Sequence, residues 1–335
     1  MSHADPKSVV TLKDHLQELA PGVVISVMVT LAAAFVADRY GAPRMLMALL
    51  FGLSLAFLYE NTRLRLGIDT VAKTGLKVGV ALLGLRIALE PLIALGPVIL
   101  GITLGCLVTV LVLGWGLGRI FGLGRAGSLI ATGAVAICGA SAALALTAVT
   151  MGEKTKTQHT VTVITGATVL STIAMVLYPV VLAQLGFSDF QTGVVLGASI
   201  HDVAQVVGAG YSVSTEAGDT ATLVKLIRVS FLPVLLLLVA AGNGRSAKGV
   251  QMPWFVWAFA ACVGLRLLLP LPAPLLSGAE TVSSSLLAMS VAALGISSSP
   301  RLIASGGGPV FGLMAVLTLV LISLAVLAVA VAIPA

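Results

Sequence analysis

Three stretches of this chain set small, polar or ionisable residues inside apolar runs. GVVLGASIHDVAQVVGAG, beginning at Gly193, carries Ser199, His201, Asp202 and Gln205. AVAICGASAALAL, beginning at Ala134, interrupts its large aliphatic residues with Cys138, Gly139, Ala140 and Ser141. In KLIRVSFLPV, Lys225 and Arg228 sit about a turn apart on one helical face.

The chemistry these residues suggest is anion binding. Gly139 and Ser141 can break a helix, and a break frees backbone N–H groups at the start of the second half-helix, whose positive dipole end attracts anions. Ser199 or Asp202 can cap a second new half-helix, with His201 and Gln205 on one face. Two cations near two such N-termini would give a pocket in which every field has the same sign. Asp202 is then either the counter-ion of Lys225 or Arg228, or a proton carrier. His201, which titrates near neutrality, is the other candidate for proton coupling. Small residues packing against a neighbour, a structural His-Asp pair, or cations reaching up to the membrane surface would account for the same residues without function.

The elements that must hold these groups are membrane helices. Hydrophobic residues make up 58% of the 335, only 10% are charged, and the mean hydropathy is +1.11. Charged residues are roughly a quarter of a soluble domain, so this chain cannot clothe a water-soluble surface. Thirty-six glycines suit close packing of helices in lipid. Apolar runs long enough to cross number about eleven. They cover 21–37, 43–59, 68–89, 92–118, 126–150, 157–184, 189–212, 217–241, 253–271, 280–298 and 308–333. Lys225 and Arg228 must lie within the membrane, because the run after Arg228 falls well short of the ~20 residues a span needs. A bias of Lys and Arg toward one set of loops places the N-terminus in the cytoplasm. If 189–212 dips in and returns, every later loop changes sides.

Residues 1–20 mix charges with Val9, Leu12, Leu16 and Leu19 at helical spacing, giving an amphipathic cytoplasmic segment ahead of one transmembrane domain, 21–335. Lys73 and Lys77, one turn apart in the third span, read as a solvated helix end. Cys106, Cys138 and Cys262 have no spacing that frames a disulfide or a metal site, and no cofactor is expected. The net charge of +6 is scattered in ones and twos, which argues against nucleic acid as a partner. No G-x-x-x-x-G-K-[ST] run is present, so an ion or substrate gradient would supply the energy. The stretch 80–98 can be laid over 291–310 with one inserted residue, an echo of the inverted repeats on which transporters are built.

AICGASAALA, GASIHDVAQVVGAG and KLIRVSFLPV, in this order and at these separations, resemble a family of bacterial inner-membrane proteins designated sulfate exporters. The likeness covers most of the chain after residue 20. It implies a relation to the superfamily of cation/proton antiporters and bile-acid symporters. That relation implies inverted repeats, two broken helices crossing at the midplane, a core domain sliding on a panel domain, and by analogy a homodimer. Spans 126–150 and 189–212 are separated by a single helix, so either one of them is re-entrant or the second broken helix lies at 280–298, with Ser297, Ser298 and Ser299.

The expected function is export of a small sulfate- or sulfite-like anion, bound by Cys138, Gly139, Ala140, Ser141, Ser199, His201, Gln205, Lys225 and Arg228 and coupled to a proton or Na⁺. The alternative is a cation/proton antiporter using Asp202. A remote third reading is an intramembrane enzyme with a Ser141–His201 dyad; the expectation is that the chain is not an enzyme.

Overall fold

The computed structural model describes residues 12–40, 42, 44–85, 90–150, 156–242, 254–298 and 308–333. All eleven apolar segments contain helix, and no strand occurs among the described residues. Lipid offers the backbone no hydrogen-bond partners, so each segment must satisfy its own N–H and C=O groups.

Chain order runs α1 (Leu12–Tyr40), α2 (Arg44–Ser54) with a 3₁₀ turn (Ala56–Glu60), and α3 (Thr62–Thr70), which passes through a π turn (Val71–Gly75) into α4 (Leu76–Leu83). Next come α5 (Glu90–Ile120), α6 (Arg125–Gly133) with its π turn (Ala134–Cys138), α7 (Ala140–Thr150) and α8 (Lys156–Gln184). The chain continues with α9 (Asp189–Ser199), α10 (Val203–Val213), α11 (Thr215–Ser230) and α12 (Leu232–Gly242). It closes with α13 (Trp254–Leu268), α14 (Ala273–Ser297) and α15 (Pro309–Ala332). Among the described residues, six stretches are long and apolar enough to cross a membrane by themselves: Gln17–Tyr40, Gly96–Ile120, His159–Gln184, Thr215–Ala241, Ala273–Ser297 and Pro309–Ala332.

Residues 12–20, expected as part of a separate surface segment, continue without interruption into the first span as α1; residues 1–11 lie outside the described residues. The segment 280–298 belongs to an unbroken α14, whose end is capped by Ser297 and Ser298 hydroxyls donating to the Leu294 carbonyl. It is therefore not the second broken helix. Ser299 lies outside the described residues.

The helices form two bodies. The first is α1–α4 with α13 and α14, knitted by close approaches such as that of α2 to α14, where a Cβ on Gly52 would lie 3.0 Å from the Gly295 Cα. The second is α5–α12 with α15. Packing between the bodies is carried chiefly by α10 against α2 and α14.

Within the second body, both interrupted segments double back. A Cβ on Gly193 would lie 2.8 Å from the Ala217 carbonyl oxygen, and one on Gly210 3.0 Å from the same oxygen. A straight helix would hold those glycines about 25 Å apart. So α9 and α10 form a hairpin with its tip at Ile200–Asp202, and α9 runs parallel to α11 while α10 runs antiparallel to it. The first interrupted segment behaves alike. Gly133 abuts Leu146, Gly127 abuts the His159 ring, and the Thr147 and Thr160 hydroxyls are bonded at 2.9 Å. The bases of α6 and α7 therefore both lie at the start of α8, with the tip at Gly139. Because α8 leads from the base of the first hairpin to that of the second, the two enter from opposite sides. Neither crosses.

This layout is an inverted repeat in permuted order. Helix α5 packs on α6 as α15 packs on α9, and α12 packs on α7 as α8 packs on α10. Helix α5 passes through residues 121–124 directly into the first hairpin, whereas α15 ends beside the second, where Gln191 Nε2 donates to the Ile333 carbonyl at 2.8 Å. The sequence echo spans α4 to α5 and α14 to α15. The connections in the middle of each lie outside the described residues.

Candidate functional site

The hairpin tips meet at the level of mid-α8. A Cβ on Gly139 would sit 3.9 Å from the His201 Cβ and 3.6 Å from the Ala167 Cβ. The chain can turn here because Gly139 adopts φ 55° and ψ −119°, a backbone conformation essentially confined to glycine. The second tip turns through extended residues, with Ile200 at ψ 141° and Asp202 at ψ 146°. Asp202 accepts a long 3.4 Å hydrogen bond from the Ala204 N–H as the N-cap of α10, and its own N–H donates to the Ser171 hydroxyl of α8 at 3.2 Å.

Lys225 and Arg228 are 0% and 1% exposed, so both cations are inside the protein as expected. What they face differs from the expectation. Lys225 Nζ donates to the Ile137 carbonyl at 2.6 Å and to the Ile200 carbonyl at 2.7 Å, one at each tip. Arg228 donates from Nε and Nη2 to Ala136 and from Nη2 to Val135 on the first hairpin. From Nη1 it donates to Gly197, Ala198 and Ile200 on the second. These are the last carbonyls of the descending arms, which no helix turn can satisfy and which carry the negative ends of two helix dipoles. All the donor nitrogens of Arg228 are occupied by backbone. The cations therefore clamp two helix C-termini together, and neither guanidinium nor ammonium is aimed at the N-termini of α7 and α10.

Those N-termini are unlike. The one of α10 carries the Asp202 carboxylate. The one of α7 carries no acid: Ala140 is half-buried, and Ser141 is exposed.

His201 is fully buried, and its Nε2 lies 2.8 Å from the Thr318 hydroxyl of α15. That hydroxyl donates its proton to the Met314 carbonyl, so the imidazole Nε2–H is the donor in the His201 contact. Nδ1 of His201 and Oε1 of Gln205, also buried, have no hydrogen-bond partner among the described residues. Ser199 spends its hydroxyl proton on the Val195 carbonyl at 2.6 Å. Cys138 is buried as a free thiol beneath the first tip. The expected site residues thus converge on one place, but in two roles. Lys225, Arg228 and Ser199 serve the backbone; Ser141, Asp202, His201 and Gln205 present polar atoms at or near the tips. The Ser141–His201 dyad is not formed, since the one ring nitrogen of His201 that is bonded goes to Thr318.

One contributor was missed from sequence, and one residue is more buried than its reading. Thr318 is 117 residues from His201, on a helix with no other charged or amide group to draw attention to it. Lys77, read as a solvated helix end, is half-buried within α4, just past the π turn. A π turn inside a helix often marks a functional position, but it cannot be seen in the residue pattern.

Comparison with known proteins agrees with a membrane role. Residues 19–314 match the family model described as conserved hypothetical protein 698. A UPF0324 membrane protein TauZ of Paracoccus pantotrophus is 44% identical over 85% of this chain and 87% of its own length. UPF0324 membrane proteins of Rhizobium meliloti and Chlorobaculum tepidum are 40% and 42% identical, over 91% and 83% of this chain and 90% and 80% of their own. No solved structure matches. With most of its length matched by the family model and by relatives of similar extent, the chain belongs to the family of conserved hypothetical protein 698, multi-pass membrane proteins of bacteria.

Proposed function

We propose that this protein is a secondary transporter that moves a small oxyanion, of the sulfate or sulfite kind, by alternating access. The observation that carries this reading is the charge balance at the hairpin tips. Lys225 and Arg228 are two buried cations, and Asp202 is the one carboxylate at the hairpin tips among the described residues. An unbalanced positive charge at membrane depth is expensive, and a bound anion would offset it. The acid-free N-terminus of α7, where Ser141 is exposed, is the place for that anion to meet backbone N–H groups. The two-body arrangement supports movement, because a hairpin body that touches its neighbour chiefly through α10 can shift against it with few contacts to break. The resemblance to the exporter family fits the same substrate class. The reading makes the protein a carrier rather than an enzyme.

The test is uptake of labelled sulfate and sulfite into proteoliposomes, with thermal stability of the detergent-purified protein against the same anions, chloride, Na⁺ and Li⁺. A specific ligand stabilises the state it binds. One oxyanion that both protects and is transported supports the reading. Protection by Na⁺ or Li⁺ alone, abolished in Asp202→Asn, would instead establish a cation/proton antiporter. The unpartnered Oε1 of Gln205 favours that second reading.

A further inference from the structure

Carbonyl oxygens at the ends of the descending arms are met by two side chains that do different things. Arg228 spreads a planar fork over Val135, Ala136, Gly197, Ala198 and Ile200. Lys225 brings a compact point charge to one oxygen from each tip, Ile137 at 2.6 Å and Ile200 at 2.7 Å. Both distances lie at the short end of the range for charge-assisted bonds. Among the described residues its ammonium makes no other hydrogen bond or ion pair. Helix α11 holds it there rigidly, because the neighbouring Val224 Cβ lies 2.7 Å from where a Cβ on Gly197 would be, so α11 and α9 touch at backbone distance. With 0% exposure, no bulk water shares the charge. In carriers built from inverted repeats, half-helix C-terminal ends and unwound carbonyls are the groups that hold a coupling Na⁺. Here two such ends converge, and a lysine nitrogen stands between their oxygens.

We propose that the Lys225 ammonium occupies a monovalent-cation site whose ligands are backbone carbonyls of both tips, so that the chain carries, as a fixed side chain, the charge that a coupling Na⁺ would otherwise bring. The site itself stands on the carbonyl geometry. That the protein works without Na⁺ rests in addition on the anion-transport reading, which it deepens by naming what does not accompany the anion. A positive charge that never leaves needs no ion to enter with the substrate, and the driving force is then a proton gradient or the substrate's own.

The experiment is thermal stability of the full-length, detergent-purified protein at constant chloride, with choline replaced stepwise by Na⁺ or K⁺ and no oxyanion present. Wild type, Lys225→Ala and Lys225→Met are compared. Lys225→Ala leaves a void bordered by the Ile137 and Ile200 oxygens, which a small cation can enter. Lys225→Met fills the same space with an uncharged chain. Wild type should be indifferent to the exchange of cations, and both variants should melt lower. Lys225→Ala alone should regain several degrees, saturably, as Na⁺ or K⁺ is added. If the void takes up only water, Lys225→Ala will be as insensitive as Lys225→Met; that is the result of a purely structural clamp, and it overturns the proposal. Wild type supplies an arm that needs no variant: uptake of sulfate or sulfite into proteoliposomes should be equal in choline and in Na⁺. Saturable protection of wild type by Na⁺, or uptake that requires Na⁺, also overturns it. If no oxyanion is taken up at all, the transport reading fails while the cation titration of Lys225→Ala still decides the site. A flat titration beside normal uptake by wild type removes this proposal and leaves that reading standing.

Discussion

Lys225 reaches the Ile137 carbonyl at 2.6 Å across 88 positions of chain, and the same ammonium holds Ile200. Together with Arg228, which bonds both arms as well, this side chain ties two hairpins that enter from opposite sides, and its consequences can be measured.

Lys225→Met removes two charge-assisted bonds and leaves two buried carbonyls without that donor. The expected loss is about 3 kcal/mol or more, read as a fall of several degrees in melting temperature of the purified protein. Lys225→Arg should destabilise less. A melting temperature unchanged in Lys225→Met would mean the clamp carries no load.

Gly139→Ala has room for its methyl group, since the nearest atom would be 3.6 Å away. Its cost is therefore backbone strain at φ 55°, about 1–3 kcal/mol. The same substitution at Gly124, whose φ is −64°, should be close to neutral. Equal melting temperatures for the two variants would contradict the turn described at the first tip.

Thr318→Val strands the Nε2–H of a fully buried imidazole, at a cost of about 1–3 kcal/mol. Thr318→Ser keeps the acceptor and should stay within about 1 kcal/mol of wild type. Chemical unfolding of the two variants side by side checks the assignment.

Hairpins make a topological prediction that crossing helices do not. In a background lacking Cys106, Cys138 and Cys262, Leu185→Cys and Glu216→Cys should react with an impermeant thiol reagent from one side of the membrane, and Gly124→Cys only from the other. Residues 185 and 216 flank the second hairpin. If they label from opposite sides, that segment crosses.

The sequence exposed the number of apolar segments, the interruptions at Cys138–Ser141 and Ser199–Gln205, and the depth of Lys225 and Arg228, because each is a local departure from apolar composition. It did not show that the interrupted segments double back. Hydropathy and helical spacing are the same whether a chain continues or returns, and the deciding contacts are distant ones such as Gly133 with Leu146 and Gly193 with Ala217. The role of the cations was hidden for a similar reason. A lysine in the membrane could face an anion or a carbonyl, and only tertiary structure places Ile137 and Ile200 beside it. Lys77 looked like a helix end because the π turn lengthens a run whose start cannot be seen in the residue pattern.

The tie between Gln191 and Ile333 bears on how the protein is made. Ribosomes deliver the chain from its N-terminus, and the second hairpin is synthesised long before the helix that receives it. Until α15 emerges, His201 lacks Thr318 and Gln191 lacks its carbonyl. The first hairpin has its flanking helix from the outset, so the two halves mature at different times. A chain cut short before Thr318 would keep the helices that precede α15 and leave both His201 and Gln191 without these partners.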